Sequence, residues 1–219
     1  MNPLDAFYSE AVEHFRELGG SEDEFKWFVG VRLAWFGPYR EEVKLRLRLL
    51  NEIPKRIRGR VLDVGSGSGY PSLLMALSGN ATEVVGIESN RHLFEFSKRL
   101  EKLTKNLWFI NGDFLDRELG LGSFDTVVFS YILHDFDALP FLERALEVIR
   151  PGGRIVVADF DINGLRRTLE EFAHEKGIKI IENLTLGEAY THGQRAEAFI
   201  FVMDGVMPVE RNQIAKRTV

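Results

Sequence analysis

From residue 60 onward, short apolar runs alternate with stretches of helical period, and this alternation limits the fold more than any other feature of the chain. RVLDV, EVVGIE, LWFI, FDTVVFS and GRIVVADF read as strands, with YPSLLMALS, RHLFEFSKRLEKL and LPFLERALEVI as helices among them. LRRTLEEFAHEK follows as a helix that Gly177 closes. IKIIENL and AEAFIFVM then read as two strands about ten residues apart, joined as a hairpin. Parallel neighbours need helical crossovers, so the pattern predicts an α/β fold with a doubly wound, seven-stranded, mostly parallel sheet whose last strand runs antiparallel. The strands are nearly continuous in apolar residues, as expected when helices cover both faces.

Residues 1–53 follow a different pattern, with helix-period apolar positions and little strand signal. Phe7, Ala11, Phe15 and Leu18 share one helical face that Gly19-Gly20 ends. Ser21 and Glu24 form a capping box that opens a second helix, which Gly37-Pro38 breaks. A third helix carries Val43, Leu47 and Leu50 and stops at Ile53-Pro54. The division expected is a helical cap over 1–53, a ligand-binding core over 54–203 and a loose tail over 204–219.

The glycines of VLDVGSGSG, Gly65, Gly67 and Gly69, follow the first strand directly, where ligands of such sheets collect beside a helix N-terminus. The dinucleotide fingerprint asks for a third glycine or alanine at position six; counting from Gly65 or Gly67, that place holds Tyr70 or Ser72. No Gly-Lys-Ser or Gly-Lys-Thr of a phosphate loop is present either. The loop therefore offers backbone clearance without a phosphate signature. Glu88 ends the second strand, where a carboxylate can accept from both ribose hydroxyls, of NAD as of other nucleosides. Asp113 follows the third strand, placed to accept from an adenine amino group while the Phe114 backbone pairs with the ring. Asp63 can brace the glycine loop or reach an ammonium group. Singly, Glu88 and Asp113 read equally well as a helix cap and a loop carboxylate.

VLDVGSGSGYPSLLMA, VVGIESN, NGDF, FDTVVFSYILHDF and IRPGGRIVVADF together resemble the successive motifs of class I S-adenosylmethionine-dependent methyltransferases, over residues 60 to about 203. The resemblance implies a Rossmann-like methyltransferase fold, S-adenosyl-L-methionine as cofactor and S-adenosyl-L-homocysteine as its product. It implies cofactor contacts from Asp63, Gly65, Ser66, Gly67, Gly69, Tyr70, Glu88, Ser89, Asp113, Phe114 and Ser130. Metal-dependent catechol-type enzymes carry an Asp where this chain has Ser130, so no metal is expected.

The stretch after strand four, SYILHDF, resembles the Leu-His-Asp-Trp of small-molecule O-methyltransferases, in which the His is a general base. It also resembles quinone- and sterol-type C-methyltransferases, in which that His need not act. Phe136 in place of Trp leaves the subfamily open. His134 is accordingly the candidate base, and a histidine that only packs or bonds the loop backbone is its alternative. His192, between the last two strands, is its competitor. The Asn-Pro-Pro-Tyr-like tetrapeptide of amino-methylating nucleic-acid enzymes is missing.

The expected acceptor is a small molecule, with Trp27, Phe28, Trp35, Phe36 and Tyr39 of the cap either lining its pocket or forming the cap's own core. A net charge of -5 speaks against DNA, yet residues 40–60 hold eight Lys or Arg against three Glu. That segment is either a solvated helix face or a landing site for RNA or protein substrates, the second functional reading. A cofactor-binding subunit without catalysis is the third. Absence of cysteine, of a signal peptide and of an apolar run near the ~18 residues that span a bilayer leads us to expect a cytoplasmic protein with no membrane partner.

Overall fold

The structure, a computed structural model, describes residues 40–206. Its elements are α1 (Arg40–Glu52), β1 (Gly59–Val64), α2 (Tyr70–Leu77), β2 (Ala81–Glu88), α3 (Arg91–Ser97), β3 (Leu107–Asn111), β4 (Phe124–Ser130), α4 (Ala138–Val148), β5 (Ile149–Phe160), α5 (Leu165–Glu175), β6 (Lys179–Thr191) and β7 (Gln194–Val206). They build one seven-stranded sheet in the order β3-β2-β1-β4-β5-β7-β6. β7 runs antiparallel to both its neighbours, and the other pairs are parallel. This is the doubly wound sheet that the alternation requires. The first two helices expected before residue 40, with the aromatics Trp27 to Tyr39, lie outside the described residues, as does the chain after Val206.

Strand residues alternate between two cores. Val61, Val84, Val128, Val156, Ile200 and Val202 face one side, where α1 and α2 pack. Leu62, Val85, Val127, Phe129, Val157 and Phe201 face the other, under α4 and α5. Both faces of the central strands are buried, which is why β1, β4 and most of β5 lack polar alternation, whereas the edge strand β6 is largely exposed. α1 belongs to this packing: Leu49 is fully buried, and Leu50 and Ile53 join it in the core with Val61 and Val84.

Three elements differ from the sequence expectation. The helix over 91–103 is α-helical only to Ser97 and continues as a 3-10 helix over Lys98–Leu103. The hairpin is longer than its apolar runs, because the polar stretches EAYT and QRAEA pair as well, and it closes on a two-residue turn at His192-Gly193. Strand β7 passes Asp204, the residue where the tail was placed. The Asp204 carboxylate is held there by Arg58 at 2.8 Å and Arg154 at 2.7 Å.

Parallel strands bring their carboxyl ends to one edge. Glu88, Asn111 and Ser130 end β2, β3 and β4, Asp63 and Asp159 are the last residues but one of β1 and β5, and the β6–β7 turn closes at the same edge. The strand order reverses between β1 and β4, so the crevice expected to take a ligand opens there.

Candidate functional site

The β1–α2 loop is shaped by three glycines in the left-handed region, with φ of +66° at Gly65, +56° at Gly67 and +83° at Gly69. Their surroundings differ. A Cβ on Gly65 would stand 2.3 Å from Ile132 Cδ1, and one on Gly69 would stand 2.6 Å from Phe109 Cζ. Nothing lies within 4 Å of the same position on Gly67. Two of the glycines are thus demanded by the protein's own packing, and the middle one by backbone angle alone, with open space in front of it.

Glu88 ties this loop to β2. Its Oε2 accepts from the Gly67 amide at 2.8 Å and its Oε1 from the Asn90 amide at 2.7 Å. Each oxygen keeps a further lone pair for a hydroxyl. Asn111 Nδ2 donates to the Glu88 carbonyl at 2.8 Å and to that of Ser89 at 3.3 Å, and the Gly112 amide also donates to the Glu88 carbonyl at 3.0 Å. The ends of β2 and β3 are therefore locked together. Asp113 is exposed, and its Oδ1 accepts from the Leu115 amide at 2.9 Å. The loop-carboxylate role weighed from sequence is real, and it occupies one oxygen of the two.

Asp63 is fully buried. Its Oδ2 accepts from Ser72 Oγ at 2.6 Å, while Oδ1 finds no partner among the described residues. Burial pushes its carboxyl up to about 7; the Ser72 hydrogen bond opposes this and the nearby Glu88 charge adds to it. Burial likewise raises the Tyr70 phenol. Ser66 Oγ and Ser130 Oγ are also buried without a partner among the described residues. Unsatisfied buried polar atoms cost about 1–3 kcal/mol each, and these three lie at or just after the carboxyl ends of β1 and β4, where such sheets take a polar ligand. Beside them lies a cavity of about 200 Å³ walled by Val64, Ile87, Phe114, Leu115, Ile132 and Phe136, with Ser89 and Asp113 at its polar side. Phe114 is fixed in that wall by Phe129 and Phe141, with ring centroids 6.1 and 6.2 Å away. A flat apolar ring with polar edges fits this lining. The residues present therefore fit an adenosine-type group carrying an ammonium.

The loop 131–136 joins this cavity to a second cluster. It sends Ile132 and Phe136 into the cavity wall and His134 to the other side. Tyr131 begins it at φ +56°, held by its amide to the Ala158 carbonyl at 3.0 Å and by its hydroxyl to the Arg46 carbonyl at 2.5 Å. His134 is buried, and its Nδ1 lies 2.5 Å from Asp159 Oδ1. Asp159 is itself fully buried and accepts from the Phe160 and Leu133 amides at 2.8 and 3.1 Å. Burial disfavours the charged imidazole, but the Asp159 hydrogen bond, the Asp159 charge and the Asp135 charge outweigh it and hold His134 above the ordinary histidine value. The His192 ring sits 4.6 Å from that of His134, edge to face. His134, Asp135 and His192 each offer one ligand atom within 4.8 Å of the others.

The structure thus gathers the sequence-predicted residues into two groups at one edge, the crevice and the histidine pair. Asp159 is the residue that sequence reasoning missed. Its only signal was an acid ending the fifth strand, in VVADF. Most of the described basic side chains of residues 40–60 are paired, and Arg48 donates to the Leu186 carbonyl at 2.8 Å. Lys44, Arg46, Lys55, Arg56, Arg58 and Arg60 all meet carboxylates, from Glu41 and Glu42 to Glu182 and Asp204.

A family model described as a methyltransferase domain matches residues 57–197. The chain is 31% identical over 165 residues to 27-O-demethylrifamycin SV methyltransferase of Amycolatopsis mediterranei, covering 71% of this chain and 60% of that protein. It is 31% identical over 102 residues to demethylmenaquinone methyltransferase of Clavibacter sepedonicus, covering 46% of this chain and 41% of that protein. The matches therefore span less than two thirds of the length of these curated relatives. Among solved structures, magnesium protoporphyrin IX methyltransferase of Synechocystis with bound SAM superposes with a TM-score of 0.63 at 15% identity, over 90% of this chain and 96% of that one. At that identity the likeness speaks for the fold alone. No helix among the described residues is long and apolar enough to cross a membrane.

Proposed function

The chain belongs to the class I S-adenosylmethionine-dependent methyltransferase family, and on that premise we propose that it transfers a methyl group to a hydroxyl of a small molecule held beside His134. The carrying observation is the buried Asp159–His134 pair at the end of the central strands, 2.5 Å apart, one loop away from the crevice. A hydroxyl must lose its proton to become a good nucleophile, and an oriented imidazole serves that need; a neutral amine can attack first and shed its proton later.

In this reading S-adenosyl-L-methionine, when bound, supplies an electrophilic methyl on a sulfonium and leaves as S-adenosyl-L-homocysteine. The chain's part is placement, which can supply much of the rate. Gly67 admits the ligand against the backbone, Glu88 takes hydroxyls with its free lone pairs, and Asp63 Oδ1 accepts from an ammonium. Asp113 and the Phe114 wall hold the ring. Ser66, Ser89 and Ser130 complete the polar lining.

The alternative of an RNA or protein substrate landing on residues 40–60 loses support because the basic side chains there are engaged by neighbouring carboxylates. Calorimetry with S-adenosyl-L-methionine, S-adenosyl-L-homocysteine and NAD tests the cofactor. Binding of both sulfur compounds and not NAD is expected, and the reverse ends the reading. Incubation with labelled cofactor and cell extract then tests the acceptor. A labelled small molecule is expected. Label on RNA, with RNA affinity falling steeply with salt, would select the alternative. No transfer to any fraction would leave a cofactor-binding subunit.

A further inference from the structure

We propose that His134, Asp135 and His192 form a binding site for a divalent cation of the zinc class. The three side chains converge on one point. Asp135 Oδ1 lies 3.5 Å from His134 Nε2 and 3.7 Å from His192 Nε2. These separations are long for hydrogen bonds. They approach the roughly 3.4 Å that two ligands of a tetrahedral ion keep when each bond is about 2.0–2.2 Å.

The far side of each imidazole is already arranged. His134 Nδ1 meets Asp159 at 2.5 Å, and His192 Nδ1 meets Thr191 Oγ1 at 2.9 Å. Metal-binding histidines almost always donate their second nitrogen to a carboxylate or another oxygen, which fixes the ring and raises its basicity. With Nδ1 engaged, Nε2 of both rings is left for the ion. Asp159 is in turn held by two backbone amides, so the support is rigid.

The turn geometry points the same way. His192 and Gly193 form a two-residue hairpin turn with φ of +49° and +77°. Such turns favour Asn or Gly at the first position. A histidine held in the left-handed region is a strain that persists where function requires it. The local charge is mixed: Asp135 and Asp159 favour a cation, and Arg46 opposes it but is paired with Glu42 at 2.8 Å.

Two imidazoles and one carboxylate suit zinc and its first-row neighbours, whereas magnesium prefers oxygen ligands. Three protein ligands leave a fourth position open, as in catalytic rather than structural sites. Resting on the transferase function proposed above, the acceptor oxygen takes that position; with the ion bound, His134 Nε2 is a ligand and no longer the base, and the cation lowers the pKa of the hydroxyl in its place. Its O–H proton passes to solvent, the oxygen lone pair forms the new O–CH3 bond, and the S–CH3 electrons return to sulfur as the sulfonium becomes a thioether. The sequence expectation of no metal rested on Ser130 at the strand-four end, and this ligand set lies elsewhere.

The test titrates chelator-treated full-length protein with Zn²⁺ alone by calorimetry and with Co²⁺ alone by visible absorption. One equivalent of each is expected, with the cobalt band of a low-coordinate site. His192→Gly keeps the left-handed turn and removes one ligand, so it should abolish the band. Asp159→Asn, which touches no ion, should weaken zinc about 10–100-fold. Failure of wild type to bind one equivalent, or equal affinity in wild type and His192→Gly, overturns the site. Cofactor calorimetry on the same samples separates the two ideas. Cofactor binding without zinc binding sinks only the metal site, and zinc binding without cofactor binding sinks only the proposed function.

Discussion

The carboxyl ends of β1, β2 and β3 and those of β4, β5 and the hairpin occupy one edge of one sheet, yet they are built differently. The first half is made of backbone and loop carboxylates. Its glycines clear space, Glu88 holds two amides, and Asp63 Oδ1 and Ser66 Oγ are buried with no partner among the described residues. The second half is filled with side chains that have partners, Asp159 on His134, Thr191 on His192, and the Tyr131 hydroxyl on the Arg46 carbonyl. One half keeps buried carboxylate and hydroxyl atoms unpaired, and the other, Ser130 Oγ apart, pairs its buried groups with one another.

The sharpest way to break this contrast is His134→Ala. If the two halves are separate in function, kcat should fall at least about a hundredfold for a hydroxyl acceptor while cofactor affinity is kept. Steady-state kinetics with the identified acceptor, alongside calorimetry, gives both numbers. A loss under tenfold would reject His134 and turn attention to His192 or to an amine acceptor. A parallel loss of cofactor affinity would dissolve the distinction itself.

The same contrast explains what could be read from the chain. The first half is legible because each strand end carries its own contiguous motif, VLDVGSGSG, VVGIES and NGDF, and the β-α alternation alone stacks those ends together. The second half depends on pairing across distance. Asp159 meets His134 only because β4 and β5 lie in parallel register, Ser130 opposite Ala158, which carries the next residues of both strands to one place. Nothing within either segment announces that pairing. His192 reaches the cluster because the hairpin extends through polar residues to its turn, and an apolar-run reading stops short of them. The basic run at 40–60 was ambiguous for the same reason, since Glu182 and Asp204, which neutralise part of it, come from the far end of the chain.

A smaller effect sharpens the first half. Asp113→Ala should weaken cofactor binding by about 1–3 kcal/mol, since an amine loses its acceptor. Asp113 Oδ1 also takes the Leu115 amide, so part of the loss could come from the loop. Asp113→Asn separates the two: its side-chain oxygen can keep the Leu115 bond while the amide repels a donor. Weak binding by both variants is expected, measured by calorimetry. Full affinity in Asp113→Asn would move adenine recognition to the Phe114 backbone and wall.

The smallest effect concerns protons in the first half. Burial raises the Asp63 carboxyl to about 7, so without ligand it is largely protonated in mildly acid solution. A raised carboxylate pKa stabilises the fold relative to its ionised form below the unfolded value near 3.8, and that advantage is lost as pH rises towards 7. An ammonium placed against Oδ1 reverses the balance, because it favours the charged carboxylate and lowers its pKa. Binding must then expel a proton below about pH 7, and affinity should rise by somewhat under tenfold from about pH 6 to about pH 7.5. Above about pH 8 the ligand's own α-amino group loses its charge and the gain ends. Calorimetry in buffers of different ionisation enthalpy counts the proton directly. Asp63→Asn removes the titrating group and should flatten the profile while leaving Ser72 a partner. A profile equally steep in Asp63→Asn would assign the proton to another group, and a flat wild-type profile would mean that Asp63 braces the loop and never meets the ammonium.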